Sequence, residues 1–276
     1  MSFAVFILST GRCGTQWIAS QLSQHYGELY HVEHEPLHNA YCPRRMLGCR
    51  SPDKMGGEDS ASILAHADCI EHHLEKKNYI ECGHPCWSTL PYFAGRFRGR
   101  LRIVHFVRHP IPTAYSWLTH GAYQPPILPH LQMKELLSPF DAGISFPEYR
   151  ERWSAMTAFE RCLYYWAEVN AFAHRFEARP GAPWLRISFE RLFNSDALTQ
   201  LLWFLKLPPK PELVAAKSSK IDAFHHVTGT RPDFSVIEKH RRVLEIARAL
   251  GYDPVKLDSD ATELYRRYTG FDSAPQ

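Results

Sequence analysis

Apolar residues recur along this chain with two different periods, which together predict alternating strands and helices. Five short runs rich in apolar, β-branched and aromatic residues predict strands, and longer segments with an amphipathic period predict helices. The predicted strands are 3–8, 29–33, 79–82, 101–107 and 184–188, and the predicted helices are 15–26, 60–76, 88–98, 112–121, 154–178, 195–206, 235–250 and 259–268. This order indicates an α/β fold with a central, mostly parallel β-sheet flanked by helices.

Two segments without a strand or helix pattern are long for one domain. Residues 36–58 and 122–147 are predicted to be irregular, and loops of this length are usually lids or binding loops. The second contains Tyr123-Gln124-Pro125-Pro126-Ile127-Leu128-Pro129 and Ser138-Pro139-Phe140. Its apolar side chains suit the wall of a ligand pocket. The alternative is a loop that packs on the protein surface and has no binding role.

The first strand runs directly into a glycine-flanked turn and then a helix. Gly11 and Gly14 allow a sharp turn and let backbone N–H groups approach a ligand. The N-terminus of the helix beginning near Thr15 favours an anion, and Arg12 adds a permanent positive charge. We predict a pocket for a phosphate-like group here; the alternative is an ordinary turn with Arg12 in water. The nucleotide triphosphatase loop G-x-x-x-x-G-K-[ST] is not matched, because no lysine follows the second glycine.

A second cation follows strand 101–107. Arg108 comes at the carboxyl end of this strand, Pro110 stops it, and Ser116 lies on the helix that follows. Open α/β sheets bind ligands at the carboxyl ends of their strands, so Arg108 and Ser116 are predicted to hold a second phosphate. A surface arginine that merely ends a strand is the alternative.

At these segments the chain resembles the sulfotransferases that use 3′-phosphoadenosine 5′-phosphosulfate (PAPS). Residues 10–17 resemble the family's 5′-phosphosulfate loop, and Arg108-His109-Pro110 with Ser116 resembles its 3′-phosphate motif. Residues 184–192 and 201–208 resemble the later strand with an E-x-L segment and the helix end that follows it. The resemblance implies a P-loop-like sulfotransferase fold in one domain over 1–276, with PAPS as donor and the 3′,5′-bisphosphate (PAP) as product. The donor-binding residues that it implies are Gly11, Arg12, Cys13, Gly14, Thr15, Gln16, Trp17, Arg108 and Ser116.

The chain departs from this family in two places. Cys13 stands where serine or threonine is common, so one hydroxyl donor to the sulfonate is missing. The C-terminal Arg-Lys-Gly element of the cytosolic animal enzymes has no clean counterpart, and Lys217, Lys220 or Arg231 is predicted to replace it. The segment 217–232 is predicted to close over the nucleotide.

Two residues compete for the role of general base in an in-line sulfuryl transfer, in which Arg12 would stabilise charge. Glu35 follows the second predicted strand, as does the base of some branches of the family. His84 lies in His84-Pro85-Cys86-Trp87-Ser88-Thr89-Leu90-Pro91, which resembles the segment that carries a catalytic histidine in cytosolic sulfotransferases. Glu35 is expected to need a raised pKa to act near neutrality, whereas a neutral His84 needs no such change. Glu33 and His34 are alternates.

Composition narrows the partners. The net charge is +3 without a basic arm, so no nucleic-acid partner is expected, and no segment reaches the ~20 apolar residues that span a bilayer. Seven cysteines without a disulfide-like framework favour reduced thiols and a cytoplasmic location. His66, Cys69, His72 and His73, with Cys82 and Cys86, lack the ligand spacing of a known zinc module, so no metal is expected.

The predicted acceptor is a small molecule or carbohydrate with a hydroxyl or amine, and the oligomeric state is left open. Two other functions compete with sulfuryl transfer. A variant kinase would need a lysine in the loop and a metal-holding aspartate after a strand, and neither is visible in the sequence. A non-catalytic nucleotide-binding module is favoured if neither Glu35 nor His84 faces the donor.

Overall fold

A parallel five-stranded sheet forms the centre of the computed structural model, which describes residues 2–125, 128–179, 181–192, 195–215, 230–257 and 261–269. The strands are β1 (Ala4–Leu8), β2 (Tyr30–His34), β3 (Asn78–Cys82), β4 (Leu101–Val107) and β5 (Trp184–Ser188). Their order is β2-β3-β1-β4-β5, and every neighbouring pair is parallel. The predicted α/β sheet is confirmed, and its described strands are all parallel rather than mostly so.

Strand β1 lies at the middle of the sheet and is buried on both faces. Ala4, Phe6 and Leu8 pack into one core cluster, and Val5 and Ile7 pack into the cluster on the other face. Covered faces explain why this strand is a continuous apolar run rather than an alternating one. Because its neighbours β3 and β4 are parallel to it, the segments that follow these three strands begin at the same edge of the sheet.

Helices cover both faces of the sheet. They are α1 (Thr15–Tyr26), α2 (Pro43–Cys49), α3 (Pro52–Met55), α4 (Gly57–Lys76), α5 (Leu90–Arg96), α6 (Pro110–Thr119), α7 (Ala158–Glu177), α8 (Phe189–Leu192), α9 (Ser195–Phe204), α10 (Pro211–Ala215), α11 (Arg241–Ala249) and α12 (Ala261–Thr269). Single 3-10 turns occupy His38–Tyr41, Pro85–Thr89, Pro147–Glu151, Trp153–Ala155 and Phe234–Lys239, and a π turn occupies Leu131–Glu135.

The helix ends differ from the predicted ones for identifiable reasons. The predicted helix 88–98 is a 3-10 turn followed by α5, and Pro91, which has no N–H to donate, stands in the first turn of α5. The predicted helix 154–178 begins only at Ala158. Its start is set by a capping box, in which Thr157 Oγ1 accepts from the N–H of Glu160 and the Glu160 carboxylate accepts from the N–H of Thr157.

The two long segments fold against each other. The prediction that residues 36–58 are irregular is wrong, because they contain a 3-10 turn, α2, α3 and the start of α4. The described part of 122–147 is mostly irregular, as predicted, apart from the π turn. Arg44 Nη2 lies 2.7 Å from Asp141 Oδ1, and Lys134 Nζ lies 2.7 Å from Asp59 Oδ1. The ion pair of Lys134 anchors the π turn to the start of α4, and the ion pair of Asp141 holds the loop after this turn to α2.

Outside the sheet edge, the histidine-rich helix α4 is engaged in structural contacts. His66 hydrogen-bonds Glu81 of β3 at 3.0 Å, whereas Cys69 is exposed. All seven cysteines of the chain fall in described segments and are free thiols. Among the described residues, no cluster of histidine, cysteine and carboxylate side chains is arranged to hold a metal ion, and no helix has the length and apolar character needed to cross a bilayer.

Candidate functional site

The turn between β1 and α1 is wound through left-handed backbone. Gly11, Arg12 and Gly14 have φ angles of 73°, 57° and 79°. A Cβ at Gly11 would lie 2.7 Å from Trp117 Cζ2 and 2.9 Å from His84 Cγ, so glycine is required by its neighbours as well as by its backbone. The predicted glycine turn is therefore present, and it brings the loop against His84.

Cys13 and Thr10 face into the protein. The thiol of Cys13 is fully buried and donates to the carbonyl of Gly11 at 3.1 Å, with Thr10 Oγ1 at 3.4 Å. Burial raises the pKa of Cys13 to about 11, so the thiol stays neutral. The replacement of a hydroxyl residue by Cys13 thus changes the inner side of the loop.

The two predicted cations meet at one place. Arg12 Nε donates to the hydroxyl of Ser116 on α6 at 3.0 Å, and Arg108 Nη1 donates to the backbone carbonyl of Arg12 at 2.7 Å. Arg108 follows β4 and is 7% exposed. Two positively charged residues from neighbouring loops, with Ser116 beside them, therefore form one cationic region at the carboxyl edge of the sheet.

Two tryptophans hold the loops that carry these cations. Trp117 Nε1 on α6 donates to the carbonyl of Thr10 at 2.9 Å, and Trp166 Nε1 on α7 donates to the carbonyl of Arg108 at 2.9 Å. The Arg108 guanidinium lies 4.6 Å from the centre of the Phe189 ring, which is within cation–π range. Both loops are thus tied to the packed helices behind them.

The start of α6 is fixed by residues from the C-terminal half of the chain. Glu190 accepts from the backbone N–H of His109 at 2.9 Å and from the hydroxyl of Tyr252 at 2.7 Å. His109 Nδ1 accepts from the N–H of Ile111 and caps the helix. Glu190, the glutamate of the E-x-L segment, therefore supports the loop that carries Arg108.

Glu35 stands directly after β2 in a left-handed conformation, with φ 49°. This reversal ends the alternation of the strand, so Glu35 faces His84, whereas Glu33 accepts from the hydroxyl of Tyr79 at 2.6 Å. His34 lies between the two ends of the site, with its Nε2 3.3 Å from Thr15 Oγ1 and 3.9 Å from Glu35 Oε1. Glu35 is thus connected through His34 to the N-terminus of α1.

His84 is held between two carboxylates. Its Nδ1 lies 3.0 Å from Glu35 Oε1, and its Nε2 lies 2.9 Å from Glu135 Oε2 in the π turn. Ionised carboxylates only accept hydrogen bonds, so both ring nitrogens must donate and His84 must be an imidazolium ion. This arrangement therefore does not provide the neutral His84 that would act as a base without any change in pKa.

The same contacts set the ionisation of the pair. Burial opposes the charge on His84, but the carboxylates of Glu35 and Glu135 outweigh it and raise the pKa of His84 above its usual value. Burial also favours neutral Glu35, yet the charge and hydrogen bond of His84 lower the pKa of this carboxyl. From the sequence, Glu35 would need a raised pKa to act as a base near neutrality; its pKa is lowered instead, because the two groups form an ion pair.

The remaining predicted residues lie at the edges of the site or elsewhere. Trp17 is 6% exposed and packs into the core below α1, whereas Gln16 is exposed. Arg231 is exposed, with its guanidinium 5.6 Å from the centre of the Tyr265 ring. Lys217 and Lys220 lie outside the described residues, as does most of the segment 217–232.

Sequence reasoning missed three residues that shape the site: Glu135, Trp117 and Trp166. Glu135 lies in a segment predicted to be irregular, 51 residues after His84, and no local pattern connects the two. Trp117 and Trp166 stand in helices where an aromatic residue is ordinarily read as part of the core. The available signal was that a buried indole N–H has to find a hydrogen-bond acceptor, which for these two residues is a backbone carbonyl of a site loop.

Comparisons with known proteins give distant likenesses. No protein-family model and no curated protein matches this chain. The sulfotransferase domain from the curacin biosynthetic pathway is 15% identical, with a TM-score of 0.46 over 98% of this chain and 97% of that chain. A sulfotransferase from Alicyclobacillus acidocaldarius is 16% identical, with a TM-score of 0.49 over 92% of this chain and 97% of that chain. Mouse sulfotransferase SULT7A1 complexed with PAP is 16% identical, with a TM-score of 0.42 over 94% of this chain and 69% of that chain. Likenesses this distant say nothing about activity, so the function has to be inferred from the chain's own residues.

Proposed function

We propose that this protein is a sulfotransferase that moves the sulfuryl group of PAPS to a hydroxyl or amine of a small-molecule or glycan acceptor and releases PAP. The observation that carries the proposal is the meeting of Arg12 and Arg108, on loops after neighbouring strands, with His84 and its partner Glu35 against the same glycine turn. A donor with phosphates on the 3′ and 5′ positions of its ribose fits two such cations at one edge of a sheet.

The donor is assigned to the loop and to the two cations. The backbone N–H groups of the segment from Gly11 to Trp17, with the side chains of Arg12 and Thr15, would bind the 5′-phosphosulfate at the N-terminus of α1. Arg108 and Ser116 would bind the 3′-phosphate. The hydrogen bonds from Arg12 to Ser116 and from Arg108 to the carbonyl of Arg12 support this assignment, because they connect the two proposed phosphate sites through Arg12.

The chemistry is an in-line displacement at sulfur. The acceptor oxygen or nitrogen forms a bond to sulfur, the bond from sulfur to the 5′-phosphate oxygen breaks with its electron pair leaving on PAP, and the acceptor proton passes to Glu35. Both nitrogens of His84 already donate hydrogen bonds, so the role of base falls to Glu35. A carboxylate with a lowered pKa is a weak base, and alignment and charge stabilisation by Arg12 must therefore supply most of the rate.

The test of the base compares two glutamates of the same strand end. Glu35→Gln should lower the rate of transfer from labelled PAPS by about 10²–10⁴-fold, the usual contribution of a general base, while PAP still binds. Glu33→Gln is the matched control, because Glu33 bonds Tyr79 and does not contact His84, and it should retain most of its activity. Near-normal turnover of Glu35→Gln would remove Glu35 from this role.

The test of the donor site is thermal stabilisation by nucleotide. A ligand at 100 times its Kd stabilises the folded state by about 2.7 kcal/mol, so PAP should raise the Tm clearly and ATP with magnesium should not.

Arg108→Ala should weaken PAP binding by about tenfold or more, because a charge-assisted hydrogen bond is lost. Arg98→Ala, an exposed arginine before β4, is the control and should bind PAP as the wild type does. A response to ATP alone would favour the kinase, and PAP binding without transfer to any acceptor would favour a non-catalytic module.

A further inference from the structure

Glu135 is the carboxylate in the site that neither the sequence motifs nor the donor contacts account for. It is 5% exposed and accepts from Nε2 of His84 at 2.9 Å, on the opposite side of the ring from Glu35. A buried carboxylate is costly unless it is paired, and His84 is the partner that the structure gives it. The position of the Glu135 carboxylate is therefore set by its pairing with His84.

The π turn that carries Glu135 is held in place from outside the site. Its neighbour Lys134 pairs with Asp59 at the start of α4, and Arg44 Nη1 on α2 donates to the carbonyl of Gln132 at 2.8 Å. The contact of Glu135 with His84 is thus supported by two anchored residues of the same turn, Gln132 and Lys134.

We propose that Glu135 is a positioning residue which, together with Glu35, fixes His84 as a permanent imidazolium ion beneath the loop of Gly11. This inference rests on the proposed function for its consequence in catalysis, whereas the charge state of His84 stands on the contacts alone. The ring carbon Cγ of His84 would meet a Cβ at Gly11 at 2.9 Å, so the positive charge lies directly against the loop assigned to the phosphosulfate. There it would stabilise the negative charge that develops on the leaving phosphate.

The groups that face His84 from every side agree with this assignment. Glu35 and His34 come from the end of β2, Glu135 comes from the π turn, and Tyr165 of α7 lies within electrostatic range of both carboxylates. Burial is the main reason that the pKa of Tyr165 is raised and that the pKa of His34 is lowered, so both side chains are neutral near pH 7. Trp117 packs edge-on to the ring with centroids 5.2 Å apart. Two negative charges therefore flank the imidazolium.

The test is a histidine NMR titration of the protein without substrate, with His84 assigned from the spectrum of His84→Gln. In the wild type His84 should stay protonated through pH 8. Glu135→Gln keeps an oxygen that can accept from Nε2 but removes one charge, and it should move the titration down by about one pH unit or more. Glu135→Asp should restore most of the shift, and Glu151→Gln, an exposed residue of the 3-10 turn Pro147–Glu151, should leave it unchanged.

Activity provides the second readout. If the imidazolium serves the transfer, kcat should fall as the pH rises and His84 loses its proton, by about tenfold per pH unit. In Glu135→Gln this fall should begin at a lower pH than in the wild type. Titration of wild-type His84 near the value of a free histidine, or an unchanged titration in Glu135→Gln, would overturn the proposal. If His84 titrates as expected but the wild type transfers no sulfuryl group, the charge assignment holds and the proposed function fails.

Discussion

Gly83 shows how the lack of a Cβ at one residue makes room for the side chain of another, Glu35. Gly83 follows β3 directly, and a Cβ there would overlap Cγ of Glu35 and lie 3.2 Å from the Glu35 backbone nitrogen. Glu35 itself is held in left-handed backbone, which a non-glycine residue adopts at a cost of about 1–3 kcal/mol. Its contact with Gly83 and its bond to His84 are among the interactions that keep it there.

Gly83→Ala should therefore displace Glu35 and separate it from His84. We expect a loss of about 1–3 kcal/mol in the free energy of unfolding from overpacking, and a fall in transfer rate approaching that of Glu35→Gln. Urea unfolding and a transfer assay measure the two effects. Gly95→Ala on α5 is the matched control: nothing lies within 4 Å of its Cβ position, and it should stabilise the protein by about 0.4–1 kcal/mol. Equal behaviour of the two variants would contradict this account of Gly83.

Among the elements, the strands were the most predictable and the site loops the least. The central strand β1 is the apolar and β-branched run that a sheet covered on both faces requires, and the meeting of Arg12 and Arg108 follows from the common edge of parallel strands. Glu135 was out of reach, because a π turn has no sequence pattern and its contact with His84 spans 51 residues. The lowered pKa of Glu35 was out of reach for the same reason, because it depends on the tertiary contact between Glu35 and His84.

Helix α6 links the two loops, and Trp117 is the link that can be tested. Its indole N–H donates to the carbonyl of Thr10, and Trp117→Phe would leave this buried carbonyl without that donor. A lost partner of this kind costs about 1–3 kcal/mol, and the looser loop should also weaken PAP binding.

Chemical unfolding and a PAP titration check this expectation, with Trp203→Phe as the control. Trp203 lies on α9 and is 80% exposed, so its replacement should change the free energy of unfolding by less than about 0.5 kcal/mol. If Trp117→Phe matches Trp203→Phe in both measurements, the bond to Thr10 does not hold the loop.

For the whole molecule, buried histidines give stability opposite dependences on pH. Burial lowers the pKa of His105 to about 3 and, with Arg152, that of His240 to about 4, so the folded state keeps both neutral. In the unfolded chain both histidines become protonated below pH ~6.5. The stability that the folded state gains from keeping them neutral is therefore complete above that pH and is lost as the pH falls. His84 has the opposite sign: its raised pKa adds stability that is present below pH ~6.5 and lost as pH rises through the raised value.

The acid effect can be isolated at His105, whose Nε2 donates to Asn170 Oδ1 at 3.0 Å. His105→Gln keeps an amide donor and cannot titrate. Between pH 7.5 and pH 5 the wild type should lose about 2 kcal/mol that the variant does not, since each unit below the ordinary histidine value costs about 1.4 kcal/mol. Urea unfolding at the two pH values measures this difference. His72→Gln, on the exposed side of α4, should show no such difference from the wild type, and a constant gap for His105→Gln would refute the expectation.

The strand order has a consequence for any molecule that touches both cations. The chain passes from β1 to the edge strand β2, returns to β3 beside β1, and then crosses to β4 and β5 on the other side. Strands β1 and β4 are therefore adjacent and parallel although they are far apart in sequence, and the loops that follow them leave the sheet about one strand spacing apart, about 4.8 Å at the backbone. The separation of these two loop origins is thus a property of the sheet, and any molecule that contacts both Arg12 and Arg108 has to match it, whatever shape the surrounding loops take.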